Sequence, residues 1–310
     1  MNKVKAWIIT IREYLKTGRV ISRENVGYKE NTQRTMLLFA HSLEKGICVE
    51  KPRINFGREK AIALIKLLDN SNDAQRNTYT WNEAYCSLGR YINYSEQIGS
   101  DVKKIKESYQ SLVVPSGAKE LNCGVLEYDK SFFYGGWSME NAKAFIRSRR
   151  SVRKFQDKKV AKEVLSEIIR LALMAPSACN RQPSKVYVCE KEIEKIKKTI
   201  PGNKGFEDTI PNWLIVTEDR NLFGWTEVMQ CYVNGGIFVN QLVMAFHCCN
   251  VESCIFQIPI GSKEATEIRQ ILGIPDNEAI VAAVGFGYIE ERTKVLCAER
   301  KAPDEIIEWR

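Results

Sequence analysis

The spacing of apolar residues changes near residue 129, and this change constrains the fold more than any other feature of the chain. Before it, apolar residues recur at helical intervals, as in Thr35–Glu44 and Arg58–Leu68, without clear strand periodicity. After it, helical segments alternate with short apolar runs such as Trp213–Thr217 and Ile280–Gly287. The sequence therefore predicts a mainly α-helical region over residues 1–129, followed by an α+β domain with a central sheet flanked by helices over residues 130–310.

Capping residues and breakers locate further elements. Gly46 is predicted to end the first of these helices, and Asp157 and Ser262 are predicted to begin two later ones. A short strand is predicted over Lys185–Cys189. The other predicted helices are Trp81–Tyr94, Val102–Leu112, Ser138–Ile146, Val160–Ala172, Glu192–Thr199, Met229–Cys248 and Lys263–Leu272.

Composition narrows the class of protein. The formal charge is +8, but no nucleic-acid-binding motif accompanies it, so no nucleic-acid partner is expected. The ten cysteines form no CxxC pair, and with only two histidines a zinc site is poorly supported. Free thiols indicate a reducing compartment, and we expect a cytoplasmic protein without a bound metal.

The first helix is basic and amphipathic. Trp7, Ile8 and Ile11 stand among Lys and Arg residues, in a stretch too short to span a bilayer. Such a helix can lie on a membrane surface or dock its apolar stripe on the rest of the protein. We favour docking and keep peripheral membrane contact as the alternative.

A basic run, Ser148–Phe155, connects two predicted helices. It holds Arg149, Arg150, Ser151 and Arg153, whose guanidinium and hydroxyl groups are suited to holding a phosphate. On charge alone, the alternative is a solvated basic loop.

A second segment, Ala175–Pro183, ends an apolar helix and precedes a strand. Its small and amide side chains, including Ser177, Asn180 and Gln182, could hydrogen-bond the edge of a heteroaromatic ring. Taken by itself, a polar turn is an equally good interpretation.

Together the two segments resemble the nitroreductase family of FMN-binding flavoproteins. The family pattern, Arg-Arg-Ser-x-Arg-x-Phe followed by a helix and Ala-Pro-Ser-x-x-Asn-x-Gln-Pro, occurs here in order. The helix with Asn234–Leu242 and the tail Arg300–Ile307 look like later family segments. The resemblance covers about residues 138–310 and implies the nitroreductase-like FMN-binding fold and a homodimer with FMN between the subunits.

The resemblance also implies roles for particular residues. Arg149, Arg150 and Ser151 would hold the FMN phosphate and ribityl chain, completed by Arg300 and Lys301. Arg153 would face the pyrimidine side of the flavin and stabilise its anionic reduced form. Four residues of the partner subunit would reach the ring: Ser177, Ala178, Asn180 and Gln182.

The stretch around Gln257 and Ile258 is expected near flavin N5. Pro259 follows and has no amide hydrogen to donate, which departs from the family pattern. Trp225, Glu227 and Tyr232 precede the long helix where relatives place substrate contacts, although aromatic residues commonly just pack.

The expected activity is hydride transfer from NADH or NADPH through flavin N5 to a nitro, quinone or other conjugated acceptor, with ping-pong kinetics and no Ser, Cys or His nucleophile. Two alternatives stay open. One is a flavin dehydrogenase that oxidises a biosynthetic intermediate and does not consume NADH or NADPH. The other is a non-catalytic flavin-binding scaffold whose N-terminal half binds a partner. Separately, His41–Gly46 resembles the N-terminal region of nitroreductase-like proteins encoded near polysaccharide-biosynthesis genes, which by itself gives no reaction.

Overall fold

The computed structural model describes residues 3–25, 32–116, 121, 123–129, 131, 132, 135, 136 and 138–310. The first part of the chain is helical, as its periodicity predicts. Its helices are α1 (Lys3–Asn25), α2 (Thr32–Ile47), α3 (Arg58–Asp69), α4 (Asp73–Arg76), α5 (Tyr79–Gln97) and α6 (Lys103–Gln110).

Helices α2 to α6 enclose a core of their own. Leu43, Leu64, Leu88 and Tyr91 are fully buried in it, and the Trp81 indole donates to the carbonyl oxygen of Leu68. The apolar positions that revealed these helices in the sequence are therefore the ones that meet in this core. We call α2 to α6 the helical unit.

Gly46 does not end α2 as predicted, because the helix continues to Ile47. A Cβ atom at residue 46 would lie only 2.2 Å from the ring of Phe56, so glycine is needed there for close packing. The left-handed glycine of this region is instead Gly57, with φ of 66°, at the entry to α3.

The second part of the chain combines helices with one sheet. Its helices are α7 (Met139–Ser148), α8 (Lys162–Ala172), α9 (Ile193–Thr199), α10 (Gln230–Cys248) and α11 (Lys263–Leu272). Its strands are β1 (Ser184–Val188), β2 (Asn212–Asp219), β3 (Glu252–Gln257) and β4 (Glu278–Gly287).

The four strands are antiparallel in the order β1–β2–β4–β3. The central strand β2 is buried on both faces, which explains its continuous apolar run. Trp213 and Ile215 point into a core shared with α9 and α11, whereas Leu214 and Val216 point into a core shared with α8 and α10. This α+β architecture agrees with the predicted fold class.

In this part of the chain one prediction was wrong and one strand was missed. Asp157 does not cap a helix: α8 begins at Lys162, since the backbone N–H of Gln156 donates to the carbonyl oxygen of Tyr288 at 2.8 Å and keeps the preceding segment extended. Strand β3 was not predicted, because its first residues are polar. Ser262 caps α11 as expected, and its hydroxyl accepts from the Ala265 N–H at 3.0 Å.

Candidate functional site

The basic run forms the connection between α7 and the sheet. Ser151 makes an isolated parallel bridge with Ser253 of β3, and the Val152 N–H donates to the Ser253 carbonyl oxygen at 3.1 Å. The Thr209 hydroxyl donates to the carbonyl oxygen of Arg153 at 2.7 Å. We call residues 149–153 the basic loop, which is thus fastened by its backbone to the edge of the sheet.

The guanidinium groups of the basic loop keep most of their donors available. Arg150 donates to the carbonyl oxygens of Arg147 and, at 2.9 Å, Arg149, and Arg153 donates weakly to that of Ser151 at 3.4 Å. Among the residues that the structure describes, Arg149, Arg150 and Arg153 form no ion pair. Uncompensated cations gathered in a short loop are the donor set that binds a phosphate.

The positive charges of the basic loop act on Cys254 of the neighbouring strand β3. Burial raises the pKa of the Cys254 thiol, while Arg153, a hydrogen bond with Ser151, and Arg149 act in the opposite direction. Gln257, at the end of the same strand, is exposed, and Ile258 is buried in the core. The fold thus brings the predicted phosphate loop and the predicted N5 segment onto one strand, about 13 Å apart along it.

The second predicted segment forms a tight loop with unusual backbone angles. Cys179, Asn180 and Gln182 all have positive φ, between 48° and 51°, although none is glycine. The Gln182 N–H donates to the Ser177 hydroxyl at 3.1 Å and closes the turn. Left-handed non-glycine residues persist only where surrounding contacts hold them, so we call residues 177–182 the strained loop.

The side chain of Arg181 makes the contacts that fix the conformation of the strained loop. Its side chain is fully buried and makes two hydrogen bonds to the Glu227 carboxylate, at 2.6 and 2.9 Å. It also lies over the Phe223 ring, 5.1 Å from the centroid. Bidentate pairing inside the fold gives this loop one orientation.

The three residues predicted to contact the substrate, Trp225, Glu227 and Tyr232, lie in different environments. Arg181 holds the pKa of Glu227 at about 2, helped by the Gly224 N–H, and Arg34 of α2 lies 3.6 Å away. The Tyr232 hydroxyl donates to Glu13 of α1 at 2.8 Å, and burial raises its pKa. Trp225 alone of the three is largely exposed, at 75%.

Arg300 and Lys301, the other two predicted phosphate ligands, lie about 150 residues after the basic loop in the sequence. Residues 294–310 are exposed throughout, and Arg300 donates to the carbonyl oxygen of Ala298 in the same segment. Lys301 is exposed as well.

A hydrogen-bonded chain at the start of the basic loop was not predicted. The Ser148 hydroxyl lies 2.7 Å from Nε2 of His247, and Nδ1 of the same ring lies 2.6 Å from Oε1 of Glu252. Ser148 lies 99 residues from His247 in the sequence, although His247 and Glu252 are only five residues apart, and no local motif signals the chain. A histidine at the end of a predicted helix was the only available hint.

This chain has the connectivity of a Ser–His–acid relay, but its setting argues against a nucleophile. Ser148 is the last residue of α7, and its hydroxyl also lies 2.9 Å from the Phe145 carbonyl oxygen, which competes for the proton. The negative end of a helix also disfavours a developing oxyanion. The relay instead joins α7, α10 and β3 at the residue preceding Arg149.

Two negative findings apply to the described part of the chain. No group of three or more His, Cys, Asp or Glu side chains there could hold a metal ion. No helix in that part is long and apolar enough to cross a membrane.

Comparison with known proteins shows which family the second half resembles. The sequence profile of the nitroreductase family matches residues 146–212, which include both the basic loop and the strained loop. A protein of Archaeoglobus fulgidus named "Putative NADH dehydrogenase/NAD(P)H nitroreductase" is 27% identical over 54% of this chain and 97% of its own length. The iodotyrosine deiodinase of Hydra vulgaris is 24% identical over 52% of this chain and 70% of its own length.

Solved structures with some similarity include a Bacillus subtilis protein described as a "putative nitroreductase", with 18% identity and a TM-score of 0.49, which covers 56% of this chain and 100% of its own. A Desulfovibrio desulfuricans protein described as a "putative nitroreductase in complex with fmn" has 18% identity and a TM-score of 0.48, and the match covers 56% of this chain and 98% of that one.

The C-terminal half of this chain therefore resembles the nitroreductase family, whose model matches residues 146–212. The matches leave about 140 N-terminal residues of this chain uncovered, and the described part of that region is mainly helical.

Proposed function

We propose that this protein binds FMN and transfers hydride from NADH or NADPH to a nitro, quinone or other conjugated electrophilic acceptor. The observation that carries the proposal is the basic loop. Its three arginines have unpaired donors within the described chain, its backbone is fastened to the sheet, and it lies in the segment that matches the family profile. The names of the relatives agree with this chemistry.

The side chains of the basic loop are suited to both the phosphate end and the ring end of FMN. Arg149, Arg150 and Ser151 would hold the phosphate, and Arg153 would place its fixed charge beside the pyrimidine edge of the ring, where negative charge develops on reduction. Gln257 and Ile258 would border the region of N5. The bound flavin would supply the hydride-accepting and hydride-donating chemistry, while the protein positions it and excludes water.

We also propose a homodimer in which the strained loop of one copy approaches the flavin of the other. Two exposed apolar surfaces support it. Met229, Val233 and Ile237 form a stripe along α10, each one turn from the next. The exposed C-terminal segment carries Leu296, and its Trp309 is 90% exposed, which is costly unless another chain covers it. Arg300 and Lys301 would reach the phosphate site within this assembly.

We propose further that residues 1–129 and 130–310 fold around separate cores, with the helical unit against the strained loop. The Gln182 amide donates to the Tyr79 hydroxyl at 2.6 Å, and Glu227 interacts with Arg34. The helical unit would then border the acceptor site beside Asn180 and the exposed Trp225. This position supports a role in acceptor choice better than a role as an independent binding module.

Visible absorption spectroscopy of the purified protein tests the proposal. We expect flavin bands that bleach when NADH or NADPH is added anaerobically, and return when a quinone or nitroaromatic acceptor follows. Bands that do not bleach would favour a flavin dehydrogenase of another substrate. Protein that neither carries nor takes up FMN would refute the proposal.

Variants of the basic loop add a matched comparison. Arg149→Ala and Arg153→Ala should each weaken FMN binding by about tenfold or more, because hydrogen bonds to charged groups contribute about 1.5–3 kcal/mol. Arg170→Ala, which removes an exposed arginine of α8, should leave FMN binding unchanged. Light scattering of the same samples measures whether the protein is a dimer.

A further inference from the structure

Helix α1 docks on the sheet-containing part of the protein through its polar side. The Glu13 carboxylate pairs with the buried guanidinium of Arg220 and accepts from Tyr232. Lys16 binds Asp276 at 2.9 Å. The predicted docking of α1 therefore occurs. Of the apolar stripe expected to mediate it, Ile9 lies against Gly261, whereas Trp7, Ile8 and Ile11 face elsewhere.

The outward side of α1 is apolar. Successive residues are about 100° apart around a helix, which places six apolar side chains within an arc of about 120°. All six are exposed, and Trp7 is 70% exposed: Val4, Trp7, Ile8, Ile11, Tyr14 and Leu15. An ordinary surface helix has the reverse orientation, so this face needs a partner.

The charges beside this face indicate which partner. Arg12 and Arg19 are exposed and lie about 20–40° beyond one edge of the apolar arc. Glu13 is the only acidic residue between Val4 and Val20, and it is turned inward against Arg220. An apolar face with aromatic residues and a basic flank is complementary to an anionic lipid surface.

We propose that α1 holds the protein against anionic membrane surfaces through this outward face. Because the opposite side of the helix is fixed to the protein, the helix would lie in the plane of the headgroups, with Trp7 and Ile11 inserted and Arg12 at headgroup level. The proposal does not depend on FMN binding.

A second copy of the chain is the rival occupant. Pairing two α1 helices face to face in a symmetric dimer would bring the basic flanks of both helices into one interface, without an acidic residue to offset them. Charge complementarity thus favours lipid over self-association.

Co-sedimentation of the full-length protein with vesicles tests the proposal. We expect binding to vesicles of equimolar phosphatidylcholine and phosphatidylglycerol, and much weaker binding to phosphatidylcholine alone. Trp7→Glu and Ile11→Glu should each reduce the partition coefficient by about tenfold or more, because each puts a charge where an apolar group is buried. Ile62→Glu, at an exposed apolar position on α3, is the matched control and should bind as the wild type does.

The basic flank gives a second measurement. Arg12→Gln should lower binding to the anionic vesicles by about fivefold. A higher salt concentration should also lower this binding, because it screens the charges. Equal binding to both vesicle types, or equal loss in the Ile62→Glu control, would overturn the proposal. So would self-association of the wild type that Ile11→Glu abolishes in the absence of vesicles, since the occupant would then be a second copy. Thermal unfolding of each variant verifies that it is folded.

Discussion

The Tyr79 hydroxyl of the helical unit lies 2.6 Å from Nε2 of Gln182 in the strained loop. Residues that are 103 positions apart in the sequence thus join the region outside the family match to a segment within it. Under the proposed flavin site, removing this contact should alter FMN binding.

Tyr79→Phe should weaken FMN binding by about two- to fivefold, because it removes one hydrogen bond that orients the strained loop. Fluorescence titration of the apoprotein with FMN measures the effect. Tyr14→Phe, at an exposed tyrosine on α1, serves as the control. Identical affinities for wild type and Tyr79→Phe would mean that the contact does not reach the cofactor.

His247→Gln should weaken FMN binding by about fivefold or more. The substitution disrupts the relay between Ser148 and Glu252 and releases the start of the basic loop. The same fluorescence titration measures it. Arg170→Ala, at an exposed arginine of α8, is the control and should retain the wild-type affinity. A variant that loses stability but keeps its FMN affinity would assign the relay a purely structural role.

Glu218 should make the protein less stable as pH rises. Burial raises the pKa of this fully buried carboxyl to about 8, opposed by a hydrogen bond from Ser184. Its folded pKa lies above the unfolded value near 4.5, so the folded state retains a proton that the unfolded state loses. Its contribution is present at low pH and declines between pH 4.5 and about 8, with a slope approaching about 1.4 kcal/mol per pH unit.

Glu218→Gln should remove that slope and leave the variant more stable than wild type above pH 8. Denaturant titrations at several pH values measure it. Glu299→Gln, in the exposed C-terminal segment, should keep the wild-type slope. Parallel curves for wild type and Glu218→Gln would contradict the prediction.

Arg181→Met should lower the free energy of unfolding by about 3–5 kcal/mol, since it leaves the Glu227 carboxylate without its main partner. Chemical denaturation measures this loss. Combining Arg181→Met with Glu227→Gln should recover part of it, because the two side chains are coupled. Arg170→Met, which breaks an exposed pair, should cost less than about 1 kcal/mol. Similar losses for the two arginine variants would refute the coupling.

Glu227 should also contribute to acid unfolding. Its pKa in the folded state is about 2, below the unfolded value. Its contribution is therefore present above about pH 4.5 and lost as pH falls towards 2. Acid titration followed by tryptophan fluorescence should show that Glu227→Gln is already destabilised at neutral pH and loses less stability on acidification than wild type.

The sequence alone determined where most of the helices and three of the four strands lie, and which family the second half resembles. Hydrophobic periodicity and capping residues were enough to locate α3, α11 and β2, because each has an uninterrupted apolar pattern with clear ends. They failed at Gly46 and Asp157, where a packed ring and a backbone pairing decide the local conformation. The basic loop was found as a motif because its residues are contiguous.

Only the tertiary structure decided how distant segments meet. It paired Arg181 with Glu227, linked Ser148, His247 and Glu252, and set Tyr79 against the strained loop. It also turned the apolar face of α1 outward. These relationships depend on buried charges and hydrogen bonds between residues far apart in the chain, whereas hydrophobic periodicity reports only which residues of one segment share a face.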